Sequence, residues 1–168
     1  FNLGCLLLEN RNPAAAAVEL ASYTVHAPAS VEGWTKRGAA ELRTRQFEAA
    51  DQSLRRALAL NPRAAEAANA LGVLYVQRNR PHEAYQTFAA AAQMQPGYAP
   101  ALLNQAVITH TGFAVRPVDY RPAALQKYKE FLALQPRPSQ WAAVAGIVQQ
   151  LEFDLAPQAP APPPVTAV

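Results

Sequence analysis

One cysteine, Cys5, and three histidines, His26, His82 and His110, are all the thiols and imidazoles this chain of 168 residues has. A single thiol cannot close an internal disulfide or build a Cys-based zinc site. The histidines never stand at His-x-x-x-His or Glu-x-x-His spacing, which would put two ligands on one helix face, so no metal is expected. Serine occurs only at 22, 30, 53 and 139, none of them inside a Gly-x-Ser-x-Gly elbow, and the 7 glycines never gather into a phosphate-cradling loop. No catalytic residue and no cofactor is therefore expected, and the chain reads as a non-enzyme. Isoleucine appears twice and aromatic residues make up 8%, a poor supply for strands, which favour β-branched and aromatic side chains. Charged residues reach only 16%, and the net charge of +3 neither demands nor excludes an anionic partner. No apolar run approaches the ~20 residues needed to cross a bilayer, so no membrane span is expected. Residue 1 is Phe, with no basic and apolar leader before it, and Phe1–Leu8 already reads as an interrupted helix; a mature form or a piece of a longer protein is expected.

What is abundant is alanine, 37 residues, the strongest helix former. The chain also has a period. Gly4, Gly38 and Gly72 fall 34 residues apart, with Ala106 in the next slot; Pro28, Pro62 and Pro96 share the interval, as do Ala16, Ala50 and Ala84, and Leu20, Leu54 and Phe88. Such a repeat signals a solenoid built from one helical hairpin. Pro136 follows Pro96 by 40, so the last unit carries six additional residues. Within 65–96, Leu71, Leu74 and Tyr75 form one apolar stripe, the chain breaks at Asn79–Pro81, and Ala84, Phe88, Ala91 and Ala92 form a second. Small Gly72 and Ala84 let the two helices approach, and Pro96 ends the second.

The strings Trp34-x-x-Arg37-Gly38-x-x-Glu41…Ala50…Leu54…Ala57…Pro62 and Leu71-Gly72-x-x-Tyr75…Ala84…Phe88…Ala91…Pro96 resemble tetratricopeptide repeats over about residues 1–136. The resemblance implies an all-α, right-handed α-solenoid of helix-turn-helix units. Its expected divisions are a partial first repeat at 1–28, repeats at 29–62, 63–97 and 98–137, the last with its insertion at about 112–122, a capping helix at 138–154 and a Pro/Ala-rich tail or linker at 155–168. Where the family usually carries Leu and an aromatic, this chain has Arg37 with Glu41 and Gln105 with Thr109. Arg37 and Glu41, four apart, are expected to form an exposed ion pair, and these swaps to loosen the packing or to mark a surface that a partner covers.

Ser139 is expected to cap the terminal helix, whose stripe of Trp141, Val144, Val148 and Leu151 closes the array or, as a second reading, docks another protein. The resemblance further implies that the first helix of each unit lines a concave groove, with Thr35, Ala39, Leu42 and Arg43, then Asn69, Val73, Val76 and Gln77, then Leu103, Val107 and His110 as partner-binding residues. Phe113, Arg116, Tyr120 and Arg121 of the insertion join them, since insertions collect near binding surfaces. Two bland readings stand beside these: the groove valines pack between neighbouring first helices, and the insertion folds back on its own helices. The family's carboxylate-clamp positions hold Thr35, Ala39, Ala70, Pro100 and Asn104, so that mode is not implied. The arginine clusters lack interleaved aromatics, and no nucleic acid is expected.

The function that follows is a protein–protein interaction scaffold that binds a peptide or an amphipathic helix and helps assemble a larger complex. The alternatives are the recruiting domain of a larger enzyme or membrane-anchored machine, and a scaffold that stacks on copies of itself through its open N-terminal face. Ala, Arg and Gln richness and the Ala-Pro tail lean towards a bacterial cell envelope, with the cytoplasm as alternative.

Overall fold

Several helix boundaries trace to a local chemical cause. The computed structural model describes residues 1–112 and 118–156, which form nine α-helices and no strand. These are α1 (Asn2–Glu9), α2 (Pro13–His26), α3 (Val31–Arg43), α4 (Phe47–Leu60), α5 (Ala65–Gln77), α6 (Pro81–Met94), α7 (Ala99–Thr111), α8 (Arg121–Leu132) and α9 (Trp141–Leu155). All but the start of the expected Pro/Ala-rich tail lies outside the described residues. The Ser30 hydroxyl accepts from the Gly33 N–H at 3.0 Å and starts α3, and Asn12 Oδ1 accepts from the Ala15 N–H at 3.3 Å at the start of α2. Pro13 and Pro81 open α2 and α6, where the missing N–H leaves no bond unmade. Ala27, Asn61 and Gln95 precede Pro28, Pro62 and Pro96, and all three leave helical dihedrals.

The turns inside the first three hairpins share one device. Arg11, Arg45 and Asn79, 34 residues apart, adopt left-handed backbone at φ 57°, 61° and 55°. The following N–H groups of Asn12, Gln46 and Arg80 each reach back to Leu7, Glu41 and Tyr75 carbonyls at 2.8 Å, which satisfies the last open acceptors of the first helix. The fourth hairpin joins α7 to α8 through residues 112–120. Its expected boundary moves: Arg121 and Pro122 belong to α8 and not to the loop, because Asp119 Oδ1 accepts from the Arg121 N–H at 3.0 Å and starts the helix there.

Hairpins α1–α2, α3–α4, α5–α6 and α7–α8 pack in series, each second helix lying on the first helix of the next unit, and α9 lies on α8. The first helices α3, α5 and α7 also touch one another, which makes theirs the inner, concave layer. Within three hairpins a glycine sits under a large side chain. A Cβ on Gly4 would stand 2.7 Å from Leu20 Cγ, one on Gly38 2.6 Å from Leu54 Cγ, and one on Gly72 2.5 Å from Phe88 Cε1. In the fourth, Ala106 and Tyr128 are both buried.

The Arg37–Glu41 pair is not exposed, as the spacing had suggested: Glu41 is buried and Arg37 half-buried. Glu41 points into the α3–α4 contact, where Tyr75 stands one unit later, and keeps only 3% of its surface. A carboxylate taken out of water needs donors, and it has them: Arg37 Nε gives to Oε1 at 2.8 Å and Ser53 Oγ to Oε2 at 2.7 Å. Arg37 Nη1 also donates to Thr24 Oγ1 at 3.1 Å, so one network ties α2, α3 and α4. Gln105 and Thr109 are buried likewise, and the Thr109 hydroxyl donates to the Gln105 carbonyl at 2.7 Å. These departures are internal polar contacts and leave no surface there for a partner. Ser139 is a second correction: Gln140 is the N-terminal boundary residue of α9 and no side chain caps it, because a turn carries Trp141 N–H to the Pro138 carbonyl at 3.0 Å. Trp141 Nε1 donates to the Leu132 carbonyl at 2.9 Å, and Val144, Val148 and Leu151 bury against Tyr128 and Phe131.

One substitution type at two sites should give opposite signs. Gly72→Ala forces a Cβ into the Phe88 ring and should lower stability by about 1–3 kcal/mol. Gly146→Ala, where a Cβ meets nothing within 4 Å, should raise it by up to about 1 kcal/mol through helix propensity. Urea unfolding of the two variants reads both. Glu41→Ala, which strands Arg37 and Ser53, should cost about 2–3 kcal/mol in the same assay and should be the more damaging change beside removal of the exposed Glu83 partner of Arg80.

Candidate partner-binding groove

The concave layer gathers charged side chains at the N-terminal end. Cys5, Leu8 and Glu9 of α1, Lys36, Ala39 and Arg43 of α3 and Glu66 of α5 line a cleft of about 190 Å³. Lys36 Nζ donates to Glu66 Oε1 at 2.6 Å across two first helices. Burial pulls the Lys36 ammonium down, but the hydrogen bond and charge of Glu66 outweigh it and raise the group above its usual range. Burial also pushes the Cys5 thiol up, with the Lys36 charge opposing. Arg43 is shared with a second cleft of about 350 Å³ lined by Leu42, Arg45 and Gln77. A third, about 390 Å³, lies between Ala99, Pro100, Leu103 and Asn104 of α7 and Pro138, Ser139 and Gln140 ahead of α9.

The expected groove residues fall into three groups. Thr35 is buried with its hydroxyl donated to the Val31 carbonyl at 2.8 Å, and Leu42 keeps 5% exposure in the α3–α5 core, although its edge lines the second cleft. Val73 and Leu103 are half-buried and pack into hydrophobic clusters. Asn69 accepts from Asn104 Nδ2 at 2.9 Å, a link between α5 and α7, and His110 Nδ1 lies 3.4 Å from the Tyr128 hydroxyl. Ala39 is half-buried on the first cleft, while Arg43, Val76, Gln77 and Val107 are open to solvent, the two valines at 45% and 41%. Of the insertion, Phe113 and Arg116 lie outside the described residues. Tyr120 is half-buried beside α8, and Arg121 holds Asp119 through Nε and Nη2.

The residues of the first unit were missed, although the period points to them. Subtracting 34 from Ala39, Leu42 and Arg43 gives Cys5, Leu8 and Glu9, all three in the first cleft. Lys36 and Glu66 carry no such signal, since their pairing exists only once α3 and α5 are side by side. Among the described residues no group of three or more His, Cys, Asp or Glu side chains stands ready for a metal, and no helix is long and apolar enough to cross a membrane.

Comparison with known proteins supports the fold from outside the chain. Residues 31–63 match the tetratricopeptide repeat family. No curated protein sequence matches this one. Among solved structures, PilF of Pseudomonas aeruginosa superposes with a TM-score of 0.76 at 22% identity, covering 91% of this chain and 66% of its own. TTC0263, a thermophilic tetratricopeptide-repeat protein of Thermus thermophilus, gives 0.74 at 19% identity, covering 92% and 80%. The protein MamA is a third, with a TM-score of 0.66 at 24% identity over 78% of this chain and 73% of that one.

The Cys5 environment predicts slow chemistry. A raised thiol pKa means less thiolate at a given mildly alkaline pH, so alkylation by iodoacetamide should run slower than for free cysteine. Lys36→Met removes the charge that favours thiolate and should slow it further; rates measured against pH by mass spectrometry check both.

Proposed function

The chain is a tetratricopeptide-repeat protein, and on that premise we propose that it is a scaffold whose concave groove holds a peptide or amphipathic helix of a partner, without catalysis of its own. The observation that carries this reading is the exposure of Val76 and Val107 on the inner layer, beside clefts lined by Arg43 and Gln77. Apolar side chains left open next to hydrogen-bonding groups suit a guest chain. Val73 and Leu103 contribute by shaping the floor, since both are packed into the core. The likeness to PilW, described as a type IV pilus biogenesis factor (TM-score 0.73, 21% identity, 90% of this chain and 66% of that one), favours a bacterial cell-envelope setting.

A specific observation favours a second reading. Leu3 and Leu6 of α1 are 53% and 51% exposed, whereas of their equivalents one, two and three units on Ala40, Leu71, Leu74, Gln105 and Ile108 are buried and Arg37 is half-buried. The outer face of α1 thus presents side chains at positions that stack between hairpins further along the array, and a second copy of the chain is one occupant. Light scattering across concentration tests it: a constant monomer mass ends this reading, and a mass that falls after Leu3→Glu with Leu6→Glu supports it.

The groove reading is tested by Val76→Glu with Val107→Glu. The double variant should keep its helical circular dichroism, because both positions are solvent-facing, and should lose about tenfold or more in affinity for peptides selected on the wild type. Unchanged affinity overturns the groove assignment.

A further inference from the structure

Eight ion pairs join cations to carboxylates among the described residues, and Arg43 and Arg45 belong to none of them. Both line the same cleft, with Leu42 and Gln77. Arg43 uses Nη1 on the Leu8 carbonyl at 2.9 Å, which leaves most of its five N–H donors without a protein acceptor. Arg45 has only the Phe47 ring, 5.9 Å from its guanidinium carbon. Its backbone is also left-handed at φ 61°, a conformation that favours Gly or Asn. The neighbouring carboxylates form no ion pair with either arginine: Glu66 is held by Lys36, and Glu9 shares the first cleft with Arg43 without pairing to it.

From this we infer that the Arg43–Arg45 cleft receives Asp or Glu side chains of the partner, so that the guest in the groove is an acidic polypeptide segment whose carboxylates sit on the two guanidiniums and whose apolar side chains run towards Val76 and Val107. The inference rests on the groove reading and adds its charge. Arginine forks match carboxylates in two-point geometry and are less strongly hydrated than lysine, so the contact gives selectivity as well as attraction. A nucleic acid is disfavoured as occupant, because no aromatic side chain lines this cleft for bases to stack on.

The test is selection from a random peptide library displayed on phage, against the immobilised chain, the double variant Arg43→Glu with Arg45→Glu, and Arg45→Glu alone. The wild type should enrich Asp and Glu beside apolar residues, and the double variant should lose that enrichment or turn to Lys and Arg. A selected peptide, labelled and followed by fluorescence anisotropy, should bind about tenfold more weakly to the double variant and progressively more weakly as salt rises. Arg45→Glu alone, which removes no hydrogen bond of the fold, keeps the test valid if the double variant misfolds, and should show the same trend at about threefold. Wild-type selection without acidic bias, or peptides indifferent to both variants, overturns the inference while leaving the groove in place. Peptides that also ignore Val76→Glu with Val107→Glu, or a library that yields no binder, overturn the groove reading itself. Tight, salt-sensitive retention of single-stranded DNA with no acidic peptide enriched assigns the arginines to a nucleic acid instead.

Discussion

The glycine notches set the spacing on which everything else in the molecule rests. With no Cβ at Gly4, Gly38 and Gly72, the side chains of Leu20, Leu54 and Phe88 press directly onto the backbone of the first helix. Each hairpin is therefore thin, and a thin hairpin presents two apolar sides that its neighbours must cover. Alanines do the covering: Ala16, Ala40, Ala50, Ala67, Ala84, Ala91, Ala101, Ala106 and Ala124 have no accessible surface. Small side chains bring helix axes close, and closely packed first helices against bulkier second helices bend the stack. The trough is a consequence of that bend.

The polar network at α2–α4 occupies a position that the same fold fills with hydrocarbon one unit later, where Leu71 and Tyr75 replace Arg37 and Glu41. A buried ion pair is a poor source of net stability, since losing water costs each charge about what the pair returns. Its geometry is more exacting than that of apolar contacts. Glu41 accepts from both Arg37 and Ser53, and Arg37 reaches Thr24, so α2, α3 and α4 can only meet in one register. The neighbouring junction, α4 on α5, relies on Leu58, Leu71 and Leu74, and its polar links, Arg55 to the Tyr75 hydroxyl and Arg78 to Glu48, lie at the exposed surface. A register device of this kind suits a stack whose repeated hairpins are otherwise similar enough to slip.

Periodicity made the repeat legible, and the break expected at Asn79–Pro81 falls at the turn between α5 and α6. What it could not show was the sign of a burial. Arg37 and Glu41 at i, i+4 read as a surface pair, because sequence spacing says which residues share a face and not what lies opposite that face. Ser139 failed for a related reason: a capping residue type is only a cap if the backbone brings it to the right place, and the turn at Pro138 does not. The left-handed positions were equally hidden, since Arg11 and Arg45 are not residues that announce a positive φ; only Asn79 does. In the groove, the resemblance to tetratricopeptide repeats implied which positions face inward. It could not separate Val73, which packs, from Val76, which is free, because that depends on the side chains of the neighbouring helix.

The inner layer changes character along its length, and this bears on how a guest would lie. At the α1–α3 end stand Glu9, Lys36, Arg43, Arg45 and Glu66; towards α5 and α7 the open side chains are Val76 and Val107, with Asn69 and Asn104 bonded to each other. Charges at one end and hydrocarbon at the other are not interchangeable to a segment that carries both. Reversing such a guest would place its carboxylates over valines and its apolar side chains against hydrated guanidiniums, and desolvating either without a partner is costly. On the proposed reading, the groove therefore selects direction as well as composition, and it does so through residues that the fold itself does not require: neither Arg45 nor Val76 nor Val107 is needed to close the core.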